Sequence, residues 1–383
     1  MNVPKLRFKE FNDEWQPINL ADIFQYFSTN SLSREKLSES GILKNLHYGD
    51  IHRKYNSIVN ENKEITSYVK DLNYVNKYEL LKNNDLIFAD ASEDYKGIGK
   101  AVEVVNVNNN TVSGLHTILV RDNSNVFAPM FKGYYFNSPT VHNQIRVLAN
   151  GFKVYGISKE VINKLNIKIP SINEQSKIAN TLYLLDEKIE LQTKKIEDLK
   201  LFKKGLSKYI FNLLTKYEKI KLGNACDIVT GKLDANAMVE NGKYRFYTCA
   251  KEYYMIDKYA YDTEALLISG NGAYVGYIHY YNGKFNAYQR TYILHNFKYN
   301  VQYIKCYLDE YLSEKINLEK KDGNTPYIVL STLSNMIIKI PSSFEQLKIS
   351  KIINICNCKL EIEKNKLIKL KELKKGLMQN MFV

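Results

Sequence analysis

Two stretches of the chain place their apolar residues at alternating steps of four and three. The first runs Ile178, Leu182, Leu185, Ile189, Gln192, Ile196, Leu199, Lys203, Leu206, Ile210; the second runs Ile349, Ile353, Cys356, Leu360, Glu363, Leu367, Leu370, Lys374, Leu377, Met381. A mean step near 3.5 residues is that of a coiled-coil seam, so two long helices packed along a narrow stripe are predicted. Each stretch follows a proline and opens with Ser-x-x-Glu, at Ser171 to Glu174 and Ser342 to Glu345. That spacing lets the hydroxyl accept from the third N–H while the carboxylate reaches back, which specifies a helix start twice. Gly205 and Gly376 lie inside the pattern. Each costs a helix up to about 1 kcal/mol and marks where fraying can begin.

The two stretches are one phrase written twice. Residues 167–211 align without a gap to 338–382, with about 19 of 45 positions identical, from "IKIP" through "KKGL" to a final Phe. The polar interruptions also repeat, as Gln192 with Lys203 and Glu363 with Lys374. An antiparallel pairing whose facing residue numbers sum to about 566 sets Gln192 against Lys374 and Lys203 against Glu363, and apolar against apolar elsewhere. Leu185, Ile189, Ile196, Leu199 and Leu206 are the seam residues expected in the first helix, and Leu360, Leu367, Leu370 and Leu377 in the second. The overlap in that register is 32 residues, or roughly 48 Å at 1.5 Å per residue. The alternative is that each helix packs only on its own domain.

The segments around the helices read as strands broken by Gly, Asn and Asp. Both begin with a short entry, "WQPINLADIF" and "YEKIKLGNACDIV", and return through "IKIP" into a helix. The fold class expected is therefore α+β: two globular mixed-sheet domains separated by two long helices forming an antiparallel coiled coil, with a pseudo-twofold repeat. The expected boundaries are 1–170, 171–216 for the central helix, 217–341, and 342–383 for the C-terminal helix.

Charge and composition then narrow the partner. The net charge is +13, and the two repeated segments hold +8 of it, nine Lys against six acids and nine against four. An anionic partner such as DNA fits that balance, as does a solvated lysine face. Thirty tyrosines interleave with basic and amide residues able to reach phosphates and base edges. Candidate DNA contacts are Arg53, Lys54 and Tyr55 in "HRKYN", Ser92, Lys96, Lys100 and His116 in the first segment, and Tyr244, Arg245, Lys251, Asn271, Gln289 and Arg290 in the second. The alternative for each is a strand-forming or surface residue. Five scattered cysteines complete no zinc site. No apolar run reaches the roughly 20 residues of a membrane span, and a cytoplasmic protein is expected.

Self-contained chemistry finds little support. There is no Asn-Pro-Pro-Tyr or Asp-Pro-Pro-Tyr site for amino-methylation and no phosphate loop of the Gly-x-x-x-x-Gly-Lys type. Gly270, Gly272 and Gly276 miss the dinucleotide spacing. Asp94-Tyr95-Lys96, with Asp85 or Asp90, matches the end of a nuclease motif, but three residues match by chance.

The "IPS..EQ.KI" entry, the long helix ending in "KKGL", its repetition at the C-terminus and the two unlike segments it brackets resemble the specificity subunit of type I restriction-modification systems. "GIGKAVEVV…VSGLHTILVR", Gly97 to Arg121, is also similar to first-domain sequences of that family. The resemblance covers essentially the whole chain. It implies a non-catalytic subunit whose two target recognition domains each read half of a bipartite double-stranded DNA site. The helices would be spacer and docking surface for two methyltransferase subunits. No cofactor is implied on this chain: S-adenosylmethionine belongs to the methyltransferases, and ATP and Mg2+ to a restriction subunit. Recognition domains diverge widely, so no base contact carries over by position. The rival readings are a self-contained DNA-modifying or DNA-cleaving enzyme and a coiled-coil scaffold that binds only proteins.

Overall fold

The computed structural model describes residues 3–63, 66–75, 77–151, 154–319 and 327–383. They divide into two compact units, Met1–Thr193 with Lys366–Val383, and Lys194–Asn365. In the first unit a five-stranded sheet has the order Phe24–Phe27, Thr117–Asp122, Leu86–Ala89, Ala101–Val105, Ile58–Asn60, antiparallel except for its last pair. A smaller four-stranded sheet stands beside it in the same unit. The second unit has one six-stranded sheet in the order Asp227–Thr230, Thr291–His295, Tyr261–Ser269, Ile278–Ala287, Tyr244–Tyr247, Tyr254–Ile256, where only the Tyr244–Tyr247 and Ile278–Ala287 pair is parallel. Both units are thus mixed sheets with helices, and the sheets differ in strand number and order.

Their frames nevertheless match. In the first unit the entry strand Gln16–Ile18 pairs antiparallel with the "IKIP" strand Ile167–Ile169; in the second, Glu218–Lys221 pairs with Ile337–Ile340 in the same way. Each "IKIP" strand leads into a long helix, the central one Ile172–Asn212 and the C-terminal one Ser343–Asn380. The C-terminal helix has the full reciprocal cap: Glu345 N–H donates to Ser342 Oγ at 3.3 Å, while Ser342 N–H and Oγ–H both donate to the Glu345 carboxylate. The central helix keeps half of it. Glu174 N–H still donates to Ser171 Oγ, but the carboxylate is clamped by the Arg7 guanidinium at 2.8 and 2.7 Å and is 1% exposed. A bidentate pair to a buried carboxylate outcompetes a single backbone N–H.

The next residue in each copy is a glutamine that stitches helix to domain. Gln175 Nε2 donates to the Pro170 and Val126 carbonyls and its Oε1 accepts from Ala128 N–H; Gln346 Nε2 donates to the Pro341 carbonyl and its Oε1 accepts from Asn300 N–H. Both are buried, so each amide satisfies backbone groups that would otherwise be left unpaired.

The far ends of the helices carry the repeated Phe. Phe382 lies in the core of the first unit against Phe131 and Tyr135 of the short helix Phe131–Phe136; Phe211 lies in the core of the second against Tyr303, Tyr307 and Tyr311 of the helix Val301–Glu319. Tyr135 Oη donates to the Lys168 carbonyl at 2.5 Å, and Tyr303 Oη to the Lys339 carbonyl at 2.5 Å. Lys168 and Lys339 are equivalent positions of the repeat. Each unit therefore builds one aromatic box beneath its "IKIP" strand and fills it with the Phe that closes one copy of the phrase.

All twenty seam positions are buried or half-buried, whereas Leu184, Leu191, Phe202, Ile355, Ile362 and Leu373 face outward. The ion pairs correct the expected register. Within the first unit Lys374 pairs with Asp186 at 2.5 Å, six residues before Gln192; within the second, Glu363 pairs with Lys195 at 2.9 Å, eight before Lys203. The facing numbers sum to 560 and 558, about one heptad below the expected 566. A seven-residue slip keeps most apolar positions facing apolar ones but sets each polar seam residue against an apolar one, Gln192 against Leu367 and Lys374 against Leu185. Matching the polar interruptions to one another thus points to the wrong register; Lys374 and Glu363 find partners beside the seam instead.

Truncating either closing aromatic, Phe211→Ala or Phe382→Ala, should cost roughly 3–5 kcal/mol, the usual range for a core Phe. Hydrogen exchange should show lost protection in the second unit for the former and in the first unit for the latter. Equal loss in both units from either variant would contradict this assignment.

Candidate nucleic-acid interface

In the first unit the candidate residues lie on the short helix Tyr48–Arg53, the loop 90–100 and the turn before the strand Thr117–Asp122. The helix starts because the His47 ring accepts from Gly49 N–H at 3.1 Å, and its Asp50 is a buried carboxylate that receives Arg34 and Lys54 at 3.1 and 3.2 Å. Burial, with Arg34 nearby, pushes the His47 pKa down. Arg53 is exposed, and Lys54 is exposed apart from its link to Asp50. Tyr55 is 2% exposed and packs in the core around Ile51 and Val59. Its ring has no surface to offer a ligand, but its carbonyl holds Lys100 Nζ at 2.5 Å.

The loop is organised by its own side chains. Ser92 is buried, donating to the Asp94 carbonyl and accepting from Asp94 N–H, and the Asp94 carboxylate accepts from Lys96 N–H. Ser92 thus shapes the turn that presents the exposed Lys96. His116 is exposed in the left-handed region at φ 54°, with Nδ1 3.2 Å from Asp90 and its ring edge-on to Tyr48 at 5.2 Å. Burial raises the Asp90 pKa, and His116 opposes that shift. His47 and His52 also flank Tyr48. The sequence reading missed this cluster, whose members are separated by up to 69 positions and share no spacing rule.

The nuclease candidates do not assemble. The Asp85 carboxylate is fully buried and held by Arg121 at 2.7 and 2.8 Å, with Lys82 N–H donating to it as well. Among the described residues no three His, Cys, Asp or Glu side chains stand together as metal ligands.

In the second unit cations are held on aromatic faces. The Arg245 guanidinium lies over Tyr253 at 4.3 Å and Tyr281 at 4.4 Å, with Nη1 donating to Tyr247 Oη at 3.4 Å; that hydrogen bond raises its pKa. Lys251 lies over Tyr274 at 5.1 Å and Lys284 over Tyr259 at 4.8 Å, and Tyr244 meets Tyr259 edge-on. Tyr253, Tyr259 and Tyr274 are exposed. The Tyr-rich composition signalled such a surface, but not which Tyr meets which cation. Gln289 and Arg290 line a separate cavity of about 230 Å³ with Thr230, Gly270, Tyr292 and Ile328. Gln289 Nε2 donates to Asp234 at 3.0 Å, and Asn271 bridges to Tyr327. The arrangement offers fixed guanidinium and ammonium donors among planar aromatic groups, which suits phosphates and base edges.

A family model described as "Type I restriction modification DNA specificity domain" matches residues 12–201 and again 215–372. The type I restriction enzyme EcoDI specificity subunit of Escherichia coli is 32% identical over 163 residues, covering 43% of this chain and 36% of that protein. This chain therefore matches little over a third of that relative's length. The putative type I specificity subunit S.MgeORF438P of Mycoplasma genitalium is 24% identical over 272 residues, 65% of this chain and 70% of that protein. A crystal structure of a type I restriction-modification S subunit from M. genitalium superposes with a TM-score of 0.66 at 18% identity, covering 100% of this chain and 99% of that one. A chain from a structural study of complex assembly in the type I R-M system gives 0.58 at 16% identity, covering 97% and 98%. At those identities the likeness to the solved structures is one of fold.

The two roles argued for the acidic residues separate experimentally. Asp85→Ala strands Arg121 and should destabilise the first unit by roughly 3–5 kcal/mol, as broken buried pairs do. Asp94→Ala, on the exposed loop, should stay within about 1 kcal/mol. Urea unfolding of the two variants measures both, and equal midpoints would contradict the structural role of Asp85.

Proposed function

The chain belongs to the type I restriction-modification DNA specificity family, and on that premise we propose that it is the non-catalytic specificity subunit of a type I restriction-modification complex. It reads a bipartite DNA target, one half with each unit, and docks two methyltransferase subunits and a restriction subunit on its duplicated helices. The observation that carries this reading is the pairing of unlike sheets with matching frames. The sheets of the two units differ in order and strand number, while the entry strand, "IKIP" strand, glutamine stitch and aromatic box repeat. Different readers on a duplicated mount suit two different half-sites and two equivalent partners.

The chain's own part is recognition and positioning. Arg245 on its tyrosines, Lys251, Gln289 and Arg290 serve one half-site; Arg53, Lys96, Lys100 and His116 serve the other. The methyltransferases would supply S-adenosylmethionine, and the restriction subunit ATP and Mg2+. No helix among the described residues is long and apolar enough to cross a membrane, which accords with a place among cytoplasmic DNA-modifying complexes.

The purified chain should neither bind S-adenosylmethionine nor cut DNA, and sequence-specific methylation should appear only when cognate methyltransferase subunits are added. Methylation by the chain alone would sink the reading. Within the assembled enzyme, Arg245→Ala should relax one half of the methylated target and leave the other half's sequence unchanged, and Arg53→Ala or His116→Ala the reverse. Methylome maps decide it, and relaxation of both halves by Arg245→Ala would contradict independent reading. A uniform drop in methylation without altered sequence would assign that residue to phosphate contact.

A further inference from the structure

The repeated phrase places Lys203 and Lys374 at equivalent positions, and each lines a cavity within its own unit. Around Lys203 the groove, of about 860 Å³, carries Lys200, Lys204, Lys208 and Lys364 but also Asp309, Glu310 and Glu314, so carboxylates stand among its cations. The cavity at Lys374, of about 320 Å³, is different. Its lining includes Lys96, Lys100, Lys374, His142, Asn56 and Ser57, and no carboxylate among the described residues.

The lysines of that cavity are placed by contacts that supply little negative charge. Lys100 is half-buried, and its Nζ donates to the carbonyls of Tyr55 at 2.5 Å and His52 at 3.4 Å. Those acceptors fix its position and carry no charge, and an ammonium has a third donor left. Lys374 is held by Asp186 at 2.5 Å, and Lys96 is exposed on the loop ordered by Ser92 and Asp94. One carboxylate thus serves three ammonium groups. Burial, followed by the charge on Lys374, lowers the Lys100 pKa to about 8, as an ammonium taken out of water near another cation does.

We propose that this cavity is a phosphate-binding site, which seats one tetrahedral phosphate group between Lys100, Lys96 and Lys374. The phosphate comes either from solution or from a nucleic-acid backbone. The second source rests on the proposed DNA-reading function; the first does not. The seat is a position-fixing contact with no base-reading role, since three ammonium donors recognise charge and not sequence.

The test uses the full chain and inorganic phosphate. Thermal unfolding in potassium phosphate, compared with potassium chloride at equal ionic strength, should show a saturable rise in Tm. Lys100→Met should weaken phosphate binding about tenfold or more, the cost of losing a charged hydrogen-bond partner. Lys96→Met, on an exposed side chain that does not risk the fold, should weaken it as well, and Lys298→Met, exposed in the second unit, should not. Absence of a rise over chloride, or an equal rise in wild type, Lys96→Met and Lys100→Met, overturns the proposal. A short duplex titrated against bound phosphate separates the sources: competitive displacement assigns the seat to the DNA backbone, and simultaneous binding assigns it to a free anion. Gel shift of the same duplex reports DNA recognition independently, so loss of the phosphate effect with DNA binding intact rejects this site alone.

Discussion

A seam with a seven-residue period is degenerate. Sliding one helix along the other by a heptad exchanges one set of apolar contacts for another of nearly equal worth. A 41-residue helix with so narrow a stripe therefore needs its ends fixed by something that is not periodic. Here that is the burial of a single aromatic at the close of each repeat, Phe211 in the box of Tyr303, Tyr307 and Tyr311, and Phe382 in that of Phe131 and Tyr135. Full burial of a Phe is worth about 1.5–3 kcal/mol, and a one-heptad slip of the helix would forfeit it. The ion pairs Lys374–Asp186 and Lys195–Glu363 agree with the anchored register.

The same frame is also held by pairs of opposite charges taken out of water together. Glu103 in the first unit is completely buried, lies 3.3 Å from Lys132 and accepts from Met130 and Gly133 N–H. Arg7 clamps Glu174 and Arg121 clamps Asp85 in the same manner. Buried pairs of this kind contribute little net stability, yet losing one partner is costly. They therefore fix geometry: the helix start at Ser171, the turn at Met130 and the strand carrying Arg121 each have one arrangement that satisfies the charge.

Recognition surfaces are built differently in the two units, and the difference follows from the sheets. A long six-stranded sheet lets Tyr253 and Tyr281 flank Arg245, so the guanidinium is oriented by flat faces. The first unit uses a short helix and a loop, with Lys100 held by carbonyls and His116 in a left-handed turn beside Asp90. Holding long side chains in advance reduces the conformational entropy lost on binding, and each unit does so with the elements it has.

Much of the frame was legible because its signals are local or periodic. The seam positions, the Ser-x-x-Glu starts, the "IKIP" strands and the duplicated phrase can all be read from spacing alone. The register was misread, because matching the polar interruptions favoured a pairing one heptad away, while the aromatic boxes that choose between registers are assembled from distant segments. Nor was the fate of Glu174, since Arg7 is 167 positions away. Of the candidate DNA contacts, Arg53 and Lys96 are exposed, while Tyr55 and Ser92 turned inward. A Tyr in a basic stretch reads the same whether it faces solvent or core. The sequence by itself determined the two-part architecture and the duplicated helices, since both depend on period and repetition. The tertiary structure alone decided which cations meet which aromatic rings, which carboxylates are already taken, and where lysines gather around one cavity, because those depend on contacts between residues that no spacing connects.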